Sequence, residues 1–369
     1  MFERIIAQSV LIPFDFVDGA SDTYLLANSK LGIIKKYVSR YLRLLFSGQL
    51  GREVFKIPPN TRVLWLHAGK RNIGDALMEA SGRALLKSSN VQLDLLTLPN
   101  LACVFDGDDV FENVYYDIAA LDPAAYDYVL MTEFNHRTIK TKGKYFRQLP
   151  YACMFGYFYG PDRNQTMFSF AAINQIFSLG LAPDFLVKTA KPYMCLDVQV
   201  MQTVEELKPN APFIAIAIGG IDANRTYKRW FDVLHLLNDS DLVQYAGCVV
   251  LLGSDNGLED AQMLTQLNLS QLKVVSYVGR LDLKKSQAMV ANALRFIGCD
   301  GGLMHVAHST PTPTVAVFAG EPSHLRLTQS CFATALQGSC DVNDLTPLQI
   351  VNALRDSLQI PYESYSCSP

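Results

Sequence analysis

The sequence predicts an α/β protein of two domains, each a parallel sheet covered by helices on both faces, with a cleft between them. Three observations carry this. Short apolar runs alternate with helical patterns, as parallel sheets buried on both faces require. The alternation starts near Arg62, lapses from Pro183 to Pro212, and resumes at Phe213. Each half also holds a loop that opens directly into a helix, Asn72-Ile73-Gly74-Asp75-Ala76-Leu77 and Asp300-Gly301-Gly302-Leu303-Met304-His305. A chain of 369 residues accommodates two cores of about 150 residues each.

The elements follow in order. Residues 1–60 form an opening extension with little strand character. Within it, Leu31 to Leu50 reads as a basic amphipathic helix, with Ile34, Tyr37, Val38, Tyr41, Leu42 and Leu45 at i, i+3, i+4 spacing and Lys35, Lys36, Arg40 and Arg43 mostly elsewhere. It either packs on the first domain or lies on an anionic membrane surface. Residues 61–190 hold strands at Val63–His67, Val91–Leu96, Val114–Tyr116 and Tyr128–Met131, with a helix from Asp75 to about Ser88. His136 to Arg147 is the dense basic patch of this half. Residues 191–212 read as a linker. Residues 213–345 hold strands at Phe213–Ile218, Cys248–Gly253, Val274–Tyr277, Ala293–Cys299 and Thr314–Phe318, with helices near Trp230–Leu237 and Lys284–Ala293. Residues 346–369 are a terminal helix, Pro347 to Leu358, and a tail.

Composition narrows the function. Hydrophobic residues make up 49% and charged residues 18%, which marks a globular chain. The net charge of −3 gives no reason to expect a nucleic-acid partner. No apolar run reaches the roughly 18 residues that span a bilayer. Met1-Phe2-Glu3-Arg4-Ile5 lacks the features of a secretory signal, so a cytoplasmic location is expected. The eight cysteines are scattered, without metal-ligand spacing, and read as reduced thiols; the nearest pair for a disulfide is Cys331 and Cys340.

The Asp300-Gly301-Gly302 turn follows an apolar strand and opens a helix, so its free N–H groups suit an anion such as a diphosphate, with Asp300 placed for ligand hydroxyls. Asp75, at the start of its own helix, is a candidate general base and equally an ordinary N-terminal carboxylate. Lys228 lies ten residues past Ile218 and could neutralise a leaving anion. Arg229 reads as a surface residue and Trp230 as core. Asp106-Gly107-Asp108-Asp109 has the look of a divalent-ion motif but reads as a solvated acidic turn.

Four segments, in order, resemble the lipopolysaccharide heptosyltransferases of glycosyltransferase family 9: Ile73-Gly74-Asp75-Ala76-Leu77, Lys228-Arg229-Trp230, Val249-Val250-Leu251-Leu252-Gly253-Ser254 and Asp300-Gly301-Gly302-Leu303-Met304-His305. The likeness spans about residues 62–335. It implies the GT-B architecture, two Rossmann-like domains whose parallel sheets face a central cleft, with the nucleotide-sugar donor on the C-terminal domain and the acceptor on the N-terminal one. Three departures stand out: the signature threonine is Gly301, a Pro-Gly after the first donor-domain strand is Gly219-Gly220, and residues 1–60 resemble no part of the family.

By this resemblance the chain is an inverting, metal-independent glycosyltransferase without a cofactor, moving heptose from ADP-heptose to a lipopolysaccharide inner-core acceptor. Asp75 is then the base and Lys228 the neutraliser of the leaving diphosphate. Gly219, Gly220, Gly253, Ser254, Glu259, Leu281, Asp300, Gly301, Gly302 and His305 contact the donor; Gly74, Arg137, Lys140 and Lys144 contact the acceptor. The alternatives are another nucleotide sugar, a protein or capsule acceptor, or a non-catalytic nucleotide-binding protein. A peripheral contact with anionic membrane is expected from the two basic segments.

Overall fold

The computed structural model describes residues 2–10, 30–69, 71–159 and 162–359. The chain divides into two compact units, Met1–Tyr193 and Met194–Pro369.

Unit 1 begins with α1 (Phe2–Val10) and α2 (Lys30–Phe46). It continues with β1 (Arg62–His67), α3 (Ile73–Glu79), β2 (Gln92–Thr97), α4 (Ala102–Phe105), β3 (Asn113–Tyr115), β4 (Tyr128–Met131), α5 (His136–Tyr145), β5 (Tyr151–Cys153), α6 (Gln165–Ile176) and α7 (Pro183–Thr189). Its five strands are parallel in the order β3-β2-β1-β4-β5. The order reverses between β1 and β4, and ligands of open α/β sheets bind beyond the strand ends at such a switch point.

Two features of unit 1 depart from the sequence reading. The helix expected from Asp75 to Ser88 stops at Glu79 and continues as a 3-10 segment, Ser81–Leu86. Ser169 of α6 causes the break: its hydroxyl donates to the Glu79 carbonyl at 2.7 Å and accepts from the Gly82 N–H at 2.9 Å. Strand β5 was not anticipated, because three residues after Pro150 carry no legible period.

Unit 2 holds α8 (Val198–Leu207), β6 (Phe213–Ala217), α9 (Trp230–Asn238), β7 (Cys248–Leu252), α10 (Leu258–Thr265), β8 (Lys273–Ser276), α11 (Leu283–Ala291), β9 (Arg295–Cys299), α12 (Gly302–His308), β10 (Thr314–Phe318), β11 (Ala333–Gln337) and α13 (Pro347–Gln359). Its six parallel strands run β11-β10-β9-β6-β7-β8, with the switch between β6 and β9.

Both faces of this sheet are buried, and the two-residue strand period sorts them. Ile214, Ile216, Val249, Leu251 and Ile297 pack with Trp230, Val233 and Leu234 of α9 and Ile350 and Leu354 of α13. Phe213, Ala215, Val250, Leu252 and Phe296 face Val204, Met289 and Met304 from α8, α11 and α12. The segment expected as a linker therefore contributes to a core. Asp197 caps α8 by accepting from the Gln199 N–H at 2.7 Å, and Val204 is fully buried.

Among the described residues, no disulfide joins Cys331 to Cys340. Cys367 and residues 11–29 lie outside the described residues. Among the described residues, no helix is long and apolar enough to cross a membrane.

Candidate active site

In unit 1, β1 ends at His67 and the chain enters α3 through Asn72, whose amide donates to Asp75 Oδ2 at 3.4 Å. Asp75 is half-buried in the first helical turn, and Gly74 precedes it. One helical turn deeper, Glu79 faces His67 across 3.5 Å, both nearly fully buried. From the other side of the switch point, the segment after β4 brings Glu133 and Asn135. A Cβ on Gly69 would lie 2.2 Å from Glu133 Oε1 and 2.4 Å from Asn135 Nδ2, so these two side chains would have to shift if the glycine were replaced. Asn135 donates to Glu133 at 3.1 Å and caps α5 in a reciprocal capping box with Thr138. Sequence reasoning missed Glu133 and Asn135, whose one signal is that they directly follow an apolar strand.

Helix α5 presents Arg137, Lys140 and Lys144 to solvent, but Lys142 points inward. Its ammonium donates to Gln49 Oε1 at 2.5 Å and to the Phe146 carbonyl at 2.9 Å, so it leaves the expected basic patch. Burial, and then the charge of Arg52, push this lysine down to about 7.

The acidic run is only in part the solvated turn expected: Asp106, Gly107 and Asp109 are exposed, but Asp108 is not. Asp108 is buried against Arg83, which donates through Nε at 3.0 Å and Nη2 at 2.8 Å. Asp109 pairs with Lys87 at 2.7 Å, and Asp106 accepts from the Tyr116 hydroxyl. Among the described residues, no group of three or more His, Cys, Asp or Glu side chains is placed to hold a metal ion.

In unit 2, Asp300 ends β9 at the switch point with its side chain 4% exposed. Its carboxylate faces Arg225 Nη1 at 3.5 Å, Arg326 Nε at 3.8 Å and His305 Nε2 at 3.6 Å. Burial pushes this carboxyl up, but His305, Arg326 and Arg225 outweigh it and hold it below the usual carboxylate range. Behind it, burial and then His305 push His308 down to about 3, so this imidazole is neutral.

Gly301 is extended and half-exposed. A Cβ there would find its nearest atom, the Cys299 carbonyl oxygen, at 3.7 Å, so the missing threonine is not excluded by space. Gly302 starts α12. Beyond β6, Gly219 takes a left-handed φ of 80°, where a Cβ would also meet Asn256 Oδ1 at 2.8 Å. Asn256 donates to the Gly220 carbonyl at 2.7 Å and accepts from the Ser254 hydroxyl at 2.8 Å, tying the loops after β6 and β7 together beside Gly253.

Lys228 is exposed, its ammonium 3.3 Å from Asp260. Its backbone N–H donates to Asn343 at 2.8 Å. Trp230 is 3% exposed, in the core. Glu259 is exposed on α10 and Leu281 half-buried before α11. The Asp300 cluster thus joins Asp300 and His305 to two arginines absent from the sequence-based set. Arg225 precedes Lys228 by three residues, and Arg326 follows β10 in a stretch with no motif.

Residues 171–330 match the family model described as Glycosyltransferase family 9 (heptosyltransferase). No curated protein matches the chain by sequence. Among solved structures, the chain is similar to a family 9 glycosyl transferase from Veillonella parvula DSM 2008. The TM-score is 0.64 at 13% identity, covering 82% of this chain and 98% of that one. It is also similar to the E. coli ADP-heptose lps heptosyltransferase II, with TM-score 0.59, 15% identity and coverage of 81% and 98%. For the E. coli heptosyltransferase WaaC with ADP, the figures are 0.57, 14%, 81% and 100%. The matched segment contains β6 to β10 and the whole Asp300 cluster. By the structural likenesses the fold is GT-B, and within it residues 171–330, under half of the chain, are similar to the heptosyltransferase family model.

Proposed function

We propose that the protein is an inverting glycosyltransferase that moves heptose from ADP-heptose to an inner-core sugar of lipopolysaccharide, working in the cytoplasm at the inner face of the membrane. The Asp300 cluster carries this reading: a carboxylate for sugar hydroxyls with two guanidiniums for a diphosphate, at a switch point within the family-matched segment. The donor's identity is supported by the two similar E. coli structures, one an ADP-heptose heptosyltransferase and the other a heptosyltransferase with ADP.

The acceptor hydroxyl attacks the anomeric carbon on the face opposite the diphosphate. The new C–O bond forms, the bond to the diphosphate oxygen breaks, and ADP leaves. Asp75 takes the hydroxyl proton. Lys228, Arg225 and Arg326 balance the charge growing on the leaving group, the work a divalent ion does elsewhere. Gly219, Gly220, Gly253, Ser254, Gly301, Gly302 and His305 line the donor, with Glu259 and Leu281 at its nucleoside. Gly74, Arg137, Lys140 and Lys144 face the acceptor.

The test is a thermal-shift panel of nucleotide sugars, followed by transfer of labelled heptose to lipopolysaccharide truncated in its inner core. A ligand at about a hundred times its Kd adds roughly 2.7 kcal/mol of stability. Stabilisation by ADP-heptose with chelator-resistant transfer supports the reading. Stabilisation by another nucleotide sugar alone removes heptose from it, and no transfer to any lipopolysaccharide removes the acceptor.

A further inference from the structure

Helix α2 has two apolar faces and buries the narrower one. At about 100° per residue, Ile33, Tyr37, Arg40 and Leu44 fall within roughly 60° of one another. Ile33, Arg40 and Leu44 are buried, and the helix packs beside α5. Arg40 Nη1 donates to the Phe158 carbonyl at 2.9 Å, and Tyr37 stacks on Tyr157 with centroids 4.5 Å apart.

The stripe that periodicity would send to the core faces out instead. Tyr41, Leu45, Val38, Leu31, Leu42 and Phe46 are exposed, Leu31 by 78% and Phe46 by 83%, and they sweep roughly 140° of the helix. Exposed apolar surface this continuous marks an interaction site.

Charge identifies the occupant. Helix α2 has no carboxylate, and Lys30, Lys35, Lys36 and Arg43 are exposed along it. The neighbouring α5 adds exposed Arg137, Lys140 and Lys144, with Arg147 just beyond, in a chain whose net charge is −3. Apolar side chains bordered by cations fit the headgroup boundary of an anionic bilayer. We propose that the outer face of α2 docks the protein on an anionic membrane surface, with Leu42, Leu45 and Phe46 entering the boundary and the cations of α2 and α5 held at the headgroups. This surface does not depend on sugar transfer, so its test is run without any sugar.

The full chain is floated with vesicles of phosphatidylglycerol and phosphatidylcholine, and with phosphatidylcholine alone, across a salt series. Binding to the anionic vesicles at low salt, fading as salt rises, is expected. Leu42→Ser/Leu45→Ser/Phe46→Ser should weaken it by roughly a thousand-fold, since burying one such side chain contributes about ten-fold or more. Lys35→Gln/Arg43→Gln should weaken it by about five-fold per charge at low salt, an effect that vanishes at high salt. Both variants change exposed residues and should keep the wild-type melting temperature. The proposal is overturned if the wild type ignores anionic vesicles at low salt, or if the triple variant binds them like wild type. It is equally overturned if sedimentation shows this face pairing two copies of the chain while vesicles stay unbound.

Discussion

Removing the Asp108 carboxylate should destabilise unit 1 strongly. Arg83 is fully buried. Its guanidinium donates twice to Asp108, once to the Ala80 carbonyl at 2.8 Å and once to the Tyr193 carbonyl at 3.0 Å. Its other surroundings are aromatic, with ring centroids of Tyr193 at 4.8 Å and Phe105 at 5.1 Å. Asp108→Ala keeps the two carbonyls and rings but leaves a buried cation without its counter-charge. Breaking such a pair from one side costs about 3–5 kcal/mol. For a unit of this size each kcal/mol moves the melting temperature by about 2–4 °C, so a drop of roughly 6–20 °C is expected in a thermal or urea melt. Arg83→Met/Asp108→Leu should recover much of that loss, because an apolar pair of similar volume needs no compensation. A single variant within about 1 kcal/mol of wild type would refute the reasoning, and stabilisation of the wild type by added divalent cation would revive the metal reading of this run.

Three further outcomes are expected. Asp75→Asn should preserve donor-induced thermal stabilisation and lower turnover by about 10²–10⁴-fold; turnover within a few-fold of wild type removes Asp75 as the base. Lys228→Ala should reduce kcat more than donor affinity, because charge on the diphosphate peaks in the transition state, and a change confined to stability would make the lysine structural. Lys142 binds its proton less tightly in the folded protein, about 7 against an ordinary 10.5. Between those values the unfolded chain holds more protons, so stability should rise with pH by up to ~1.4 kcal/mol per unit, a slope that Lys142→Met should flatten in urea melts.

The central strands were legible because each is a short apolar run buried on both faces, as β1, β4, β6, β7 and β10 show. The edges were not. Strand β11 is half-exposed and mixed in composition, and β5 is three residues long. Helix α2 was legible as a helix but not in orientation. Periodicity selects the widest apolar stripe, whereas the fold buries a narrower one made from Ile33, Leu44 and the stem of Arg40. In the candidate site, Asp75 and Asp300 were visible because each sits just beyond a strand end. Glu133, Arg225 and Arg326 were not, since strand order and not sequence spacing brings Glu133 beside Gly69 and the two arginines beside Asp300.

The same cluster indicates how an anionic donor would enter a unit that contains so many carboxylates. Lys228 pairs with Asp260, Arg225 with Asp222 and Asp300, and Arg326 with Glu321 and Asp300. Asp222 and Glu321 are about half exposed, and pairs of that kind contribute at most about 1 kcal/mol. Asp300 is different, because it is buried and its charge is supported by His305, Arg326 and Arg225. On the donor reading, a diphosphate replaces the weak outer partners while Asp300 keeps the guanidiniums aimed inward. The cations are thus held in place before the ligand arrives, and the diphosphate displaces only bonds that water would have nearly matched. Gly301 has open space where the motif it resembles carries a threonine, and on the donor reading the arginines would make the contact that a hydroxyl there would make.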